Sequence, residues 1–371
     1  MPGGSASSTS PPPRPPRRAS PGCRANAAPP RPPPDPPPSP ALPPPFPALP
    51  RIGCLNGRKP DHLSTQSGSE TTSKENDMTS IAFIGLGIMG SPMAVHLQEA
   101  GHDVVGYNLH PDKTQPLVDA GGRAAASIAE AVEDVDVVAV MVPDSPDVQD
   151  VLVGEGGVFD HAKSGTLVID FSSIRPDVTA ELAKAARDRG FRLLDAPVSG
   201  GEAGAKNAAL SIMVGGDGAD FEEAKPLFDV VGKTIVHVGG NGAGQTVKAA
   251  NQLIVAANIQ ALAEAVTFLD AYDVDLEAAL DVLGGGLAGS KVLDQKRANM
   301  AKHDFTPGFR IDLHHKDMGI VTSAAREAGV VVPLGSLVAQ LMASARANGD
   351  GGLDHSALLR GVERLSGRLA G

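Results

Sequence analysis

Residues 81–97 read IAFIGLGIMGSPMAVHL, and this stretch decides the fold. Residues 81–84 are a short β-favouring run. Gly85, Gly87 and Gly90 then fall as G-x-G-x-x-G at the opening of an apolar helix. The first glycine permits a tight turn, the second lets a pyrophosphate approach the backbone, and the third lets helix and strand pack closely. The helix N-terminus adds free N–H groups and a positive dipole end. Gly85, Leu86, Gly87, Ile88, Met89 and Gly90 are therefore expected to hold a dinucleotide. A second match at Gly284, Gly286 and Gly289 follows the helix-like run LEAALDVL, so it lacks the strand that the motif needs.

Outward from this loop the chain divides near residue 78. Residues 1–77 hold 22 of the 32 prolines and both cysteines, Cys23 and Cys54, and carry a net charge of +4. Without hydrophobic periodicity they are expected to be disordered. The proline runs oppose the amphipathic helix of a transit peptide, and no apolar signal core is present. Met78 immediately precedes the first strand, which makes it the expected start of the working protein. Residues 78–371 carry a net charge of −15. That balance favours solubility and disfavours nucleic acid as a partner. The absence of cysteine beyond residue 54 suits a cytoplasmic enzyme. The most apolar run, 253–269, is interrupted by Asn258, Gln260 and Glu264, so no membrane span is expected.

Strand-like runs recur at 81–84, 103–107, 136–142, 166–170, 191–195, 210–214 and 234–238, with helical patterns between most of them. The alternation implies parallel βαβ units in a doubly wound α/β sheet over 78–241. From 245 to about 272 the sequence reads as one long apolar helix without Gly or Pro. Further helices are expected near 276–283, 290–301, 312–328, 333–348 and 355–369. A helical domain, 242–371, is thus joined to the sheet domain by the long helix. A cleft between two such domains is the usual home of a ligand site.

The chemistry-bearing residues follow from position. A carboxylate at the end of the second strand would bind ribose hydroxyls and repel a 2′-phosphate. Asn108 stands there instead, with His110 and Lys113 nearby, so the sequence leans toward NADP or toward both NAD and NADP. Val142, Pro143 and Ser173 follow buried strands and are expected to line the cofactor. Residues 195–204 read DAPVSGGEAG, where Ser199, Gly200 and Gly201 offer a hydroxyl and backbone N–H groups to a carboxylate. Lys248 opens the long helix, with Asn251 and Gln252 on the same face. Polar groups on an apolar helix are costly unless they line a cleft. An ammonium there suits protonation of an alkoxide forming as a carbonyl accepts hydride. Lys316 offers a second cation to a substrate carboxylate or to the cofactor, while Asp317, Asp312 and Arg310 read as structural partners. His314 and His315 point apart on a helix, so no metal site is expected.

Together GLGIMGSPMA, DAPVSGG, GAGQTVKAANQ and Lys316–Asp317 resemble the β-hydroxyacid dehydrogenase family across 79–371. The resemblance implies a Rossmann-type domain and an all-helical C-terminal domain. It also implies a catalytic lysine at Lys248, substrate held at Ser199–Gly201, a small-molecule substrate and a homodimer or homotetramer. The pieces GGLAGSKVLDQK, FTPGFRIDLHHKD and DHSAL, with Gln252, are similar to the branch that reduces tartronate semialdehyde. The 3-hydroxyisobutyrate dehydrogenase branch usually carries a second asparagine where Gln252 stands. His96 departs from many relatives, which have asparagine there.

Overall fold

A computed structural model describes residues 78–369. The proline-rich segment 1–77, with its expected disorder and the proposed start at Met78, lies outside them apart from Met78 itself. Among the described residues nine strands form one sheet: β1 Ser80–Ile84, β2 Asp103–Tyr107, β3 Arg123–Ala124, β4 Val137–Val140, β5 Leu167–Asp170, β6 Arg192–Asp195, β7 Val198–Ser199, β8 Leu210–Gly215 and β9 Gly232–Gly239. The first six lie parallel in the order β3-β2-β1-β4-β5-β6.

Alternation of side chains along the strands explains the two-faced core. Ile81 and Phe83 of β1 join one apolar cluster with Val137 and Ala139 of β4 and Leu167 and Ile169 of β5. Ala82, Ile84, Val138, Val140 and Val168 join another cluster on the opposite face. Helices cover both faces, as a parallel sheet requires. The sheet is thus a doubly wound Rossmann-type α/β sheet.

The parallel βαβ units expected from the sequence account for the first six strands, and the pattern changes after them. β8 runs antiparallel to β6 and to β7, and only β9 returns parallel to β8. The reason is local. β7 is two residues long and leads through the short helix Gly201–Lys206 directly into β8, leaving too little chain for a crossover. β3 and β7 are too short to show a period in sequence.

After β9 the chain is helical. The long helix Ala243–Asp270 is packed by Lys291–Ala301, Ile311–Glu327, Pro333–Ala347 and Leu358–Leu365. Ala256, Ile259, Leu262, Ala263 and Val266 form its inner stripe, against Met300, Met318, Val338 and Met342. Pro333 stands at a helix start, and Ser290 Oγ accepts the Leu293 N–H at 3.1 Å. The expected helix 355–369 is shorter, a 3₁₀ turn His355–Ala357 followed by Leu358–Leu365.

By length and composition alone the long helix would suffice to cross a membrane, a test that a core helix also passes. It packs in the helical core, and Lys248, Gln252 and Gln260 are buried along it.

Candidate active site

The glycine loop divides its labour as steric reasoning requires. Gly85 has φ +98°, and a Cβ there would lie 2.2 Å from the Met141 carbonyl oxygen. A Cβ at Gly90 would lie 2.0 Å from the Gly85 carbonyl oxygen and 3.0 Å from the Phe83 ring. At Gly87 a Cβ would meet nothing within 4 Å. The outer glycines are thus demanded by the chain, and the middle one borders open space at a helix start. That helix, Gly90–Glu99, has neither a side-chain cap nor an acidic residue in its first turn. A cradle with open space, uncapped N–H groups and no negative charge fits a pyrophosphate.

Asn108 braces this loop. Its Oδ1 accepts the Leu86 N–H at 3.0 Å, and its Nδ2 donates to the His110 carbonyl at 3.1 Å. His110 is exposed, and the exposed Lys113 pairs with Asp112 at 3.5 Å. Val142 and Pro143 follow β4, and the Val142 N–H donates to the buried Ser172 Oγ at 3.0 Å. Ser173 lies at the end of β5, where its carbonyl accepts from Lys316 Nζ at 2.6 Å. All these residues therefore lie at the carboxyl ends of β1, β2, β4 and β5, the side where open α/β sheets bind ligands.

Lys248 lies on the second turn of the long helix and is 8 % exposed. Its Nζ donates to Gln252 Oε1 at 3.0 Å, and Asn251 Nδ2 donates to the same oxygen at 2.7 Å. Asn251 in turn accepts from Ser199 Oγ at 3.4 Å. Ser199 closes β7, followed by Gly200 with φ +141° and Gly201 with φ +62°. A Cβ at Gly201 would meet nothing within 4 Å, so backbone there is open to a ligand. The structure thus brings Ser199–Gly201, Lys248, Asn251 and Gln252 together, although more than forty residues separate the loop from the helix.

Asp317 needs reassignment. The sequence suggested only a structural partner, yet Gln252 Nε2 donates to Asp317 Oδ2 at 2.5 Å. Lys316 Nζ lies 2.9 Å from Asp317 Oδ1 while also bonding Ser173. One polar chain therefore runs from Ser199 through Asn251, Gln252 and Asp317 to Lys316 and the end of β5. Asp312 and Arg310 lie elsewhere: Asp312 pairs with Arg346, and Arg310 bridges Asp354. The adjacency of Asp317 to Lys316 was the only sequence signal.

Burial lowers the Lys248 pKa to about 8, with Asp317 opposing the drop and Lys316 adding to it. A lysine there is divided between donor and acceptor forms near pH 8, which suits reversible proton transfer. Behind it, burial holds His314 near 4. The Nδ1 atoms of His314 and His355 lie 3.0 Å apart, and Phe309 stands edge-on to both rings. His315 points elsewhere, with Asp312 and Arg346 as its charged neighbours. The tract around His355 is pinned by Asp354, which accepts from Lys296, Gly308 N–H, Phe309 N–H and Ser356. Among the described residues no group of three His, Cys, Asp or Glu converges as a metal site.

Comparison with known proteins meets this geometry. The NAD binding domain of 6-phosphogluconate dehydrogenase, as a family, matches residues 80–239. The NAD-binding domain of NADP-dependent 3-hydroxyisobutyrate dehydrogenase matches 242–362. The chain is 42% identical to 2-hydroxy-3-oxopropionate reductase of Escherichia coli over 286 residues, covering 77% of this chain and 98% of that protein. It is 36% identical to 2-(hydroxymethyl)glutarate dehydrogenase of Eubacterium barkeri, over 77% of this chain and 96% of that one. Among solved structures, 3-hydroxyisobutyrate dehydrogenase of Mycobacterium tuberculosis with L-serine superposes at a TM-score of 0.70. That pair is 34% identical, covering 76% of this chain and 98% of that one. With a dinucleotide cradle, a helical second domain and these relatives, the chain belongs to the 3-hydroxyisobutyrate dehydrogenase-like family of β-hydroxyacid dehydrogenases, NAD(P)-dependent oxidoreductases acting on CH–OH groups of small molecules.

Proposed function

We propose that this enzyme reversibly reduces tartronate semialdehyde (2-hydroxy-3-oxopropionate) to D-glycerate. The observation that carries the chemistry is the buried Lys248, held by Gln252 and joined through that side chain to Asn251 and Ser199. The nicotinamide cofactor supplies hydride for reduction and takes it in the reverse direction. Ser199 Oγ, the Gly200 backbone and the open backbone at Gly201 receive the substrate carboxylate. Lys248 gives its Nζ proton to the carbonyl oxygen as that oxygen gains charge, leaving a neutral amine. In oxidation the neutral amine takes the hydroxyl proton back. Asn251 and Gln252 fix the ammonium, and Asp317 fixes Gln252. Lys316 closes the cleft from the helical domain by its bond to the Ser173 carbonyl.

The choice of substrate draws support from the E. coli relative and from the motif pieces that converge on Asp354 and His355. The second reading is a 3-hydroxyisobutyrate dehydrogenase, favoured by the superposition on the mycobacterial enzyme. Steady-state oxidation of D-glycerate and of 3-hydroxyisobutyrate, each with NAD and with NADP, separates them. A kcat/KM at least about tenfold higher for D-glycerate is expected, and the reverse order replaces the first reading with the second. Asn108 and the uncharged end of β2 favour NADP or use of both cofactors, and the same assay reads that preference.

We further infer a cytoplasmic homodimer or homotetramer formed through the outer face of the long helix. Val247, Ile254, Ala261 and Phe268 recur every seven residues there, all exposed. This is the spacing of a helix–helix seam. No charged side chain interrupts it between Val247 and Ala261 except Lys248, which turns inward. A charge-free stripe is where two copies of an acidic chain meet with least repulsion.

A further inference from the structure

We propose that Gln245 is a positioning residue that couples the cofactor-side loops to the helix carrying Lys248. It is 1 % exposed, and every polar group it owns at this junction is committed. Its Nε2 donates to the Ser172 carbonyl at 2.8 Å, and its Oε1 accepts the Ile174 N–H at 3.1 Å. Its own N–H donates to Asp195 Oδ2 at 3.0 Å. One amide therefore takes two opposite backbone bonds from residues 172–174, like a missing strand residue.

The coupling extends in both directions through buried groups. Ser172 accepts the Val142 N–H on Oγ and donates its own N–H to Asp170 at 2.9 Å, so the two loops after β4 and β5 move together. Asp195, at the end of β6, accepts the Gly242 N–H at 2.8 Å as well as the Gln245 N–H. The sheet thereby grips the start of the long helix. Gly244 admits no side chain, since a Cβ would lie 2.4 Å from the Met213 carbonyl oxygen and 2.7 Å from that of Asp195. The first turn therefore cannot rotate without breaking buried bonds, each costly to leave unmade. Lys248 follows Gln245 by three residues, on the next turn of the same helix. Ordering of residues 142–145 and 172–174 by bound cofactor thus reaches the first turn of the helix carrying Lys248 through Gln245, a route separate from the one that runs from Ser173 through Lys316, Asp317 and Gln252.

The inference rests on the reading that these loops line the cofactor. Its test does not depend on turnover. Amide hydrogen exchange of residues 242–250 is measured in the full chain with and without NADPH, for wild type, Gln245→Met and Gln245→Glu. Met keeps the volume and makes neither bond. Glu accepts from Ile174, and its protonated form also donates to Ser172. Burial and the carboxylates of Asp195 and Asp170 favour that protonated form, as against Lys316 near Ser173 and Lys248 one turn on, and wild type read at both pH values separates the titration of Asp170 itself.

The expected result is about fivefold or greater slowing of exchange by NADPH in wild type and none in Gln245→Met, although fluorescence titration shows that variant binding NADPH. In Gln245→Glu the slowing is expected at pH 6 and not at pH 8, each compared with the cofactor-free protein at the same pH. Equal slowing in wild type and Gln245→Met overturns the proposal, as does the lack of any slowing in wild type saturated with NADPH. Should Gln245→Met fail to fold, equal slowing in Gln245→Glu at both pH values overturns it instead. A Lys248→Met variant that keeps near-normal turnover would count against the proposed chemistry and leave the exchange result standing.

Discussion

Lys248 is where a single ionisable group sets the behaviour of the enzyme. Its pKa falls to about 8 because burial disfavours the ammonium. Reduction requires the protonated form, so its rate is expected to fall as pH rises through about 8. Oxidation requires the neutral form and is expected to rise through the same pH. Asp317 favours the ammonium, so Asp317→Asn removes that support and should move both limbs to lower pH. Pre-steady-state turnover from pH 6 to 10 reads both profiles, and an unmoved Asp317→Asn limb would remove Asp317 from control of the lysine. Lys248→Met should cut kcat by about a thousandfold or more with little change in cofactor affinity. The same residue bears on stability with a definite sign. Between about 8 and the ordinary lysine value of 10.5 the unfolded chain binds the extra proton, so this group makes the fold more stable as pH rises across that window. Asp170, raised by burial to about 7, works oppositely, its contribution being lost as pH rises from 3.8 through 7.

At the scale of elements, the strand–turn–helix at Gly85–Gly90 yields a prediction that separates folding from binding. Gly90→Ala drives a methyl group into the Gly85 carbonyl oxygen and should cost about 1–3 kcal/mol of stability. Gly87→Ala meets open space and should leave Tm almost unchanged, while weakening NADPH by about tenfold or more. Thermal melts and fluorescence titration of the two variants give the comparison, and a Gly87→Ala protein with wild-type affinity would remove that glycine from the cradle. Elements of this kind were legible because their signals are local. A strand of alternating faces, a glycine turn and an amphipathic or apolar helix each show within a few residues. The short strands β3 and β7 were not legible, because two residues carry no period. The antiparallel turn from β7 into β8 was hidden for the same reason. The candidate site was legible in part, since Lys248, Asn251 and Gln252 share a helix face. Asp317 and Gln245 escaped, because their partners lie 65 and more than 70 residues away in sequence.

For the whole molecule, the long helix is both the core of the helical half and the carrier of Lys248. Its inner stripe is packed against the helices around it, and its outer seam is exposed, with Ile254 at 59 % and Phe268 at 63 %. Ile254→Lys places a charge in the middle of that seam and is expected to shift the protein to monomers at micromolar concentration. Sedimentation velocity checks this, and an unchanged sedimentation coefficient would move the interface elsewhere. The glycine loop carries a consequence at this scale too. Two of its glycines answer to the chain, and the third borders open space, where the proposed dinucleotide would lie. A descendant that kept this architecture but abandoned redox chemistry would still be obliged to retain Gly85 and Gly90. It would be free to lose Gly87, whose absent side chain serves nothing in the folded protein itself. The middle glycine is therefore the position at which a scaffold that has lost its dinucleotide is expected to differ from one that has kept it.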